Sequence, residues 1–253
     1  MTDANKGCKI TVHWLEQSRA QRIIWLFEEL NLKYDIKLYK RGKDLLAPKE
    51  LQEIHPLGKS PVINIETPSG ASKVVAESGV IVDYICKHFG PQLIPKEYPA
   101  GKENEVGAET EAFSRYNYFL QYAEGSLMPP LLIYLVFSQL KGPQVPFLVR
   151  PITRTIASQV EKQFLNQEIE KQFRFIEAQL GSSGGDFICG SELTGADIML
   201  IFPLQGAIEA KVLDKAKYPN ISAYIDRLEA REAWKKAVRV VEEKTGEKYS
   251  VAP

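Results

Sequence analysis

Residues 55–79, HPLGKSPVINIETPSGASKVVAESG, decide how the rest of the chain is read. Two prolines and a glycine within His55 to Pro61 describe a tight turn, and Pro61 heads a strand, a position a sheet tolerates. Pro61-Val62-Ile63-Asn64-Ile65 and Ser72 to Ala76 read as two short strands joined by the turn Thr67-Pro68-Ser69-Gly70. A helical period follows from Gly79 to Phe89 and stops at Gly90-Pro91. The Ser60-Pro61 bond has two readings. A trans turn is the commoner one, whereas a cis bond leaves the Ser60 N–H and C=O open to an extended ligand.

Upstream, Ile10 and Val12 alternate within Cys8 to Leu15, a strand. Ile23, Ile24, Phe27 and Leu30 recur at helical spacing and end at Asn31, which tolerates a left-handed stop. Tyr34, Ile36 and Leu38 alternate again, and Glu50 to Ile54 reads as a helical turn. The order to residue 90 is therefore β-α-β-α-β-β-α. Downstream, Pro91 to Gly101 carries three prolines and reads as a linker. Strand patterns then give way to helices over Glu103 to Ser126, Ile152 to Leu180 (one helix or a pair), Asp197 to Ala210 and Ile221 to about Lys244, with a break over Lys141 to Pro151. The fold class is α/β plus all-α, divided as 1–91, a linker at 92–103, and a helical domain at 104–253.

Composition narrows the function. The 253 residues carry 32 Lys+Arg and 32 Asp+Glu, so the formal charge is zero. Nucleic acid, which selects for a basic surplus, is not an expected partner. Charged residues at 25% and hydrophobic residues at 44% are ordinary for a folded chain. Cys8, Cys86 and Cys189 form no C-x-x-C pair, and His13, His55 and His88 have no ligand spacing. Neither a metal site nor a disulfide framework is expected, and a cytoplasmic setting is. The first residues lack the apolar core of a secretory signal. The longest apolar run, Leu127 to Phe137, is too short to span a bilayer and contains Pro129-Pro130.

Four junctions hold candidate chemistry. Ser18-Arg19-Ala20-Gln21 reads as a capping box on the first helix, yet the same helix N-terminus favours a bound anion such as a thiolate. Lys59-Ser60-Pro61 lies in the turn already described. Glu77-Ser78 opens the third helix, where an acid and a hydroxyl suit a ligand bearing both ammonium and carboxylate, or serve as a plain cap. Thr194-x-x-Asp197 is read as a structural capping box, not a catalytic acid. Lys37, Lys40, Arg41 and Lys43 form a basic cluster best read as a solvated face.

Taken in order, these junctions resemble the glutathione transferase family over nearly the whole chain. The resemblance rests on Ser18-Arg19, Leu57-Gly58-Lys59-Ser60-Pro61, Glu77-Ser78 and Gly190 to Ile198. Val12 to Leu15, Ser18 to Arg22 and Tyr122 to Pro130 narrow it to the fungal Gtt-type transferases and their bacterial relatives. It implies a thioredoxin-like N-terminal domain, a helical C-terminal domain and a homodimer. It also implies glutathione as co-substrate, with the thiolate joined to hydrophobic electrophiles or reducing peroxides in detoxification.

Carried onto this chain, the resemblance gives Ser60 the cysteinyl backbone, beside a cis Pro61. Glu77 and Ser78 take the γ-glutamyl head, and Lys59 takes the glycyl end. Ser18 is the first choice for the thiolate donor and Arg19 the second, while another register of the first helix brings in Gln17. The helix carrying Tyr116 and Tyr122 is expected to line the electrophile pocket, although an aromatic stripe of this spacing more often faces a core than a pocket. Peripheral association with the endoplasmic reticulum is implied by the resemblance alone. A non-catalytic glutathione-binding or scaffold module of the same fold is the alternative. Glutaredoxin-like exchange ranks below both, because no cysteine stands at the first helix.

Overall fold

The computed structural model describes residues 3–42, 44 and 46–251. The strands are β1 (Lys9–Leu15), β2 (Asp35–Tyr39), β3 (Val62–Glu66) and β4 (Ser72–Ala76), with α1 (Gln21–Glu29), α2 (Glu50–Ile54) and α3 (Ser78–Phe89) between and after them. They form one sheet in the order β2-β1-β3-β4, with β1 parallel to β2 and antiparallel to β3, and β3 antiparallel to β4. A parallel pair needs a crossover, and α1 supplies it. The element order is the β-α-β-α-β-β-α read from the sequence, and the arrangement is the thioredoxin-like one that the family resemblance implied.

β1 is central, so its Ile10, Val12, Trp14 and Leu15 are all buried. α1 is buried on nearly every side (Ile23 through Phe27 at 0% exposure) because helices from the C-terminal half pack on its outer face. It stops where expected, with Asn31 at φ 50°.

The C-terminal half holds α4 (Glu111–Tyr122), α5 (Met128–Gln139), α6 (Arg150–Val160), α7 (Asn166–Gly181), α8 (Gly195–Glu209), α9 (Pro219–Glu229) and α10 (Glu232–Thr245). Wide turns at Ala123–Leu127 and Glu161–Leu165 link α4 to α5 and α6 to α7. α8 is the central helix, with Ile198 to Ile201 and Leu204 at 0% exposure. Gly195 lets it approach α3 closely: a Cβ there would stand 2.9 Å from Val82 Cγ1 and 3.2 Å from Cys86 Sγ.

Three expectations change. Residues 103–110 are not helical. Asn104 and Gly107 sit at φ 67° and 83°, and α4 starts only where the Thr110 hydroxyl accepts the Phe113 N–H at 3.2 Å. The single helix expected over Ile221 to Lys244 is two, broken at Arg231, whose guanidinium forks onto Glu29 at 2.6 and 2.9 Å. The break turns α10 onto α1, where Trp234 meets Trp25 edge-on at 5.4 Å. Ser18 does not form a capping box with Gln21. Its Oγ accepts the Ala20 N–H at 3.2 Å, one step short of the helix, and the Gln21 amide is buried with no partner.

The Thr194–Asp197 box forms as read. Asp197, at 0% exposure, accepts from Thr194 N, Thr194 Oγ1, Ile188 N and Tyr224 Oη at 2.7–3.0 Å. Burial pushes its carboxyl pKa up, and these bonds oppose that rise. In the basic cluster, Lys40 pairs with Glu247 and Lys37 lies over the Tyr39 ring, while Lys43 lies outside the described residues.

Candidate functional site

The turn at 55–61, the β4–α3 junction and the loop entering α1 converge on one polar cleft of about 150 Å³. Its walls include Lys59, Ser60, Pro61, Glu77 and Ser78, faced by Arg19 and Glu124. Each piece has a local cause. Gly58 stands at φ 57°, and a Cβ there would meet Gln52 Cγ at 2.7 Å, so the turn takes glycine. The Ser60-Pro61 bond is cis. Glu77 sits at φ 71° as α3 begins, and its side chain does not fold back as a cap.

Among the described residues no hydrogen bond or ion pair engages the Glu77 carboxylate or the Ser78 hydroxyl, although Ser78 is 4% exposed. The first N–H groups of a helix also lack intrahelical acceptors. An exposed acid, a hydroxyl and a helix N-terminus thus face one space, which suits a zwitterionic head. The Ser60 hydroxyl is committed differently: it donates to His13 O at 2.8 Å and accepts from Leu15 N at 3.3 Å. Ser18 Oγ lies 3.4 Å from Ser60 Oγ. Since Ser60 already donates to His13, the proton between the two serines comes from Ser18. Among the described residues Ser18 does not line the cleft, whereas Arg19 forms part of its wall.

Arg19 is held by a residue whose role the sequence did not reveal. Its Nε donates to both oxygens of Glu124 at 2.9 and 3.1 Å, and Arg22 Nη1 donates to Glu124 Oε1 at 2.8 Å. Arg22 is 0% exposed, and its Nε and Nη2 have no partner. Burial lowers its pKa to about 10 against the opposing pull of Glu124, so it stays charged at neutral pH. Removing the carboxylate that pairs with a buried cation is costly, which explains the glutamate in the Tyr122 to Pro130 stretch.

A second, apolar cavity of about 340 Å³ adjoins the first and shares Arg19 with it. α5 and α8 form its walls through Met128, Leu131, Phe202 and Ala207, with Gln17 and Arg41 beside Arg19. Tyr116, expected at such a pocket, reaches neither cavity. It is 1% exposed and packs in the core, where Gly195 of α8 approaches its ring. Tyr122 is likewise buried and donates to Gln172. An aromatic stripe at helical spacing reads the same whether it faces a core or a cavity, and here it faces the core.

The family pattern described as "Glutathione S-transferase, N-terminal domain" matches residues 18–88, and that described as "Glutathione S-transferase, C-terminal domain" matches residues 146–237. Glutathione S-transferase 1 of Saccharomyces cerevisiae is 37% identical over 226 residues, covering 89% of this chain and 92% of its own. Glutathione S-transferase 3 of Schizosaccharomyces pombe is 30% identical over 236 residues, covering 93% and 89%. A solved glutathione S-transferase from Actinobacillus pleuropneumoniae is 33% identical with a TM-score of 0.69, covering 96% of this chain and 95% of that one.

Proposed function

This chain belongs to the glutathione S-transferase family, and from that premise we propose how its cleft works. The chain is a glutathione transferase. The observation that carries the site assignment is the pair Glu77 and Ser78, partnerless at the start of α3 and lining a cleft that Arg19 closes. Glutathione lies along this cleft as an added strand, its cysteinyl part paired with the Ser60 backbone beside Pro61. Its γ-glutamyl ammonium meets Glu77, and its carboxylate meets Ser78 and the helix N-terminus. Its glycyl carboxylate lies near Lys59.

That placement brings the thiol toward Arg19. A free thiol of pKa about 8.5 is a few per cent ionised at pH 7, and half-ionisation requires roughly 2 kcal/mol of preferential stabilisation. Arg19 supplies a fixed cation whose two Nη groups have no bond among the described residues. The Ser18 hydroxyl supplies a second donor when its proton turns from Ser60 to sulfur. The cleft geometry favours Arg19 as the principal partner, reversing the order expected from sequence. Gln17 falls on the far side, against the apolar cavity.

In the reaction the thiol proton leaves to solvent, the thiolate forms a bond to an electrophilic carbon held in the apolar cavity, and the bond to the leaving group (chloride in 1-chloro-2,4-dinitrobenzene) breaks with its electron pair. Peroxide reduction uses the same thiolate: it attacks the terminal oxygen of a hydroperoxide, the O–O bond breaks and the alcohol leaves, and a second glutathione displaces water from the resulting sulfenic acid to form the disulfide. The reading extends to detoxification, a cytoplasmic setting and a homodimer, with residues 1–91 binding glutathione, 92–103 linking, and 104–253 forming the helical domain. Among the described residues no helix is long and apolar enough to cross a membrane. The test pairs glutathione calorimetry with turnover of 1-chloro-2,4-dinitrobenzene. Binding with turnover is expected, and binding without turnover would reduce the chain to a glutathione-binding module.

A further inference from the structure

Arg22 is a cation buried where packing alone gives no reason for one. From α1 its guanidinium reaches Met199 and Phe202 of α8 and Glu124 of the wide turn before α5, and its side chain is 0% exposed. The surroundings are poor for a charge. Nη1 donates to Glu124 Oε1 at 2.8 Å and lies 3.5 Å from the Met199 sulfur, while the guanidinium carbon stands 5.1 Å from the centre of the Phe202 ring. Nε and Nη2 have no partner among the described residues. The other titratable groups that bear on it are Arg19, also at the start of the first helix, and the Tyr249 phenol after α10, which its own burial keeps neutral. Desolvating an arginine with two donors unmatched is unfavourable, and an apolar side chain of similar volume fills such a site at least as well.

The carboxylate that Arg22 pairs with supplies the reason. Glu124 is 31% exposed, lines the polar cleft and accepts Arg19 Nε on both oxygens. Arg19 and Glu124 by themselves sum to zero charge, so an anion beside them would feel little net attraction. Arg22 adds one positive charge on the buried side, where salt and water screen it least. The three groups then sum to +1. Arg19 is the cation of the three that lines the cleft, and Arg22 lines neither cavity. We propose that Arg22 is a positioning residue for the thiolate: it neutralises Glu124 from the buried side, so that Arg19 meets the sulfur with a full positive charge and a fixed Nε edge. The proposal rests on the glutathione reading of the cleft and deepens it.

The test titrates the bound glutathione thiolate by its ultraviolet absorbance in the unaltered protein, Arg22→Met, Glu124→Gln and the double variant. Arg22→Met leaves Arg19 and Glu124 as a neutral pair, so the midpoint should rise by about half a pH unit. Turnover of 1-chloro-2,4-dinitrobenzene should then fall about threefold in kcat/KM below the midpoint and recover well above it. Glu124→Gln leaves two cations, and its midpoint should fall below that of the unaltered protein. The double variant leaves Arg19 alone as +1, so its midpoint should return to the unaltered value. An Arg22 that only supports the fold predicts otherwise: midpoints equal in every folded variant, or raised alike in all three. Either pattern overturns the proposal. Should Arg22→Met not fold, the other two variants decide: a lower midpoint in Glu124→Gln than in the double variant supports the proposal, and an equal or higher one ends it. Glutathione calorimetry separates this result from its premise. No binding to the unaltered protein removes the glutathione reading and this proposal with it, whereas binding with unmoved midpoints removes the role of Arg22 alone.

Discussion

The starts of α3 and α8 are written in similar residues and put to opposite uses. Each has a short hydroxyl-bearing residue and an acid at the head of an apolar helix. At α8 the acid is sealed in: Asp197 accepts four bonds from Thr194, Ile188 and Tyr224. At α3 the acid is exposed: Glu77 stands at φ 71°, and among the described residues neither its carboxylate nor the Ser78 hydroxyl beside it takes a hydrogen bond. A capping motif thus serves architecture when its own chain satisfies it; left open, it is where the proposed glutathione head group binds. The difference lies in tertiary partners, which the local sequence does not display.

The comparison breaks first, and hardest, at Asp197. Asp197→Ala strands several buried donors and should cost about 3 kcal/mol or more. In a chain of this size that is a melting-temperature loss of roughly 6–12 °C. A normal melt with lost turnover would mean that Asp197 works in the cleft. Glu77→Ala and Ser78→Ala should do the reverse. Each removes a charge-assisted bond to glutathione worth about 1.5–3 kcal/mol, or ten- to a hundredfold in affinity, with little change in melting temperature. Unchanged calorimetric affinity in both variants would sink the assignment of the γ-glutamyl head.

Thr110→Ala calibrates the pair with an ordinary cap. The Thr110 hydroxyl accepts the Phe113 N–H at the start of α4, far from any glutathione contact. Its loss should cost about 1 kcal/mol and leave glutathione affinity unchanged. A drop in affinity there would show that stability loss alone weakens binding, and the effects at Glu77 would lose their meaning.

Much of this was legible from the chain because its period changes sharply before residue 90. Strands of five to seven residues separated by turns announce themselves, and Gly90-Pro91 closes the unit. The cleft residues Lys59, Ser60, Pro61, Glu77 and Ser78 were legible for the same reason, standing at junctions where backbone groups must go unpaired. The features that escaped depend on distant partners. No glycine or proline marks the break between α9 and α10; it follows from the grip of Arg231 on Glu29, some 200 residues away. Glu124 holds Arg19 across 105 residues, so its role appears only once the halves meet. Tyr116 could be read as core or pocket, because helical spacing identifies a face without naming what that face meets, and here it meets the core.

The central claim is that Arg19, steadied by Glu124, stabilises the glutathione thiolate, with Ser18 in second place. Its most direct test is spectroscopic titration of the bound thiolate against pH in the unaltered protein and in Arg19→Gln and Ser18→Ala. Losing a fixed cation of this kind should raise the midpoint by about one pH unit, roughly 1.4 kcal/mol, in Arg19→Gln. Ser18→Ala should move it by less than half as much. A midpoint unmoved in Arg19→Gln but raised in Ser18→Ala would contradict the account and give the thiolate to the Ser18 hydroxyl.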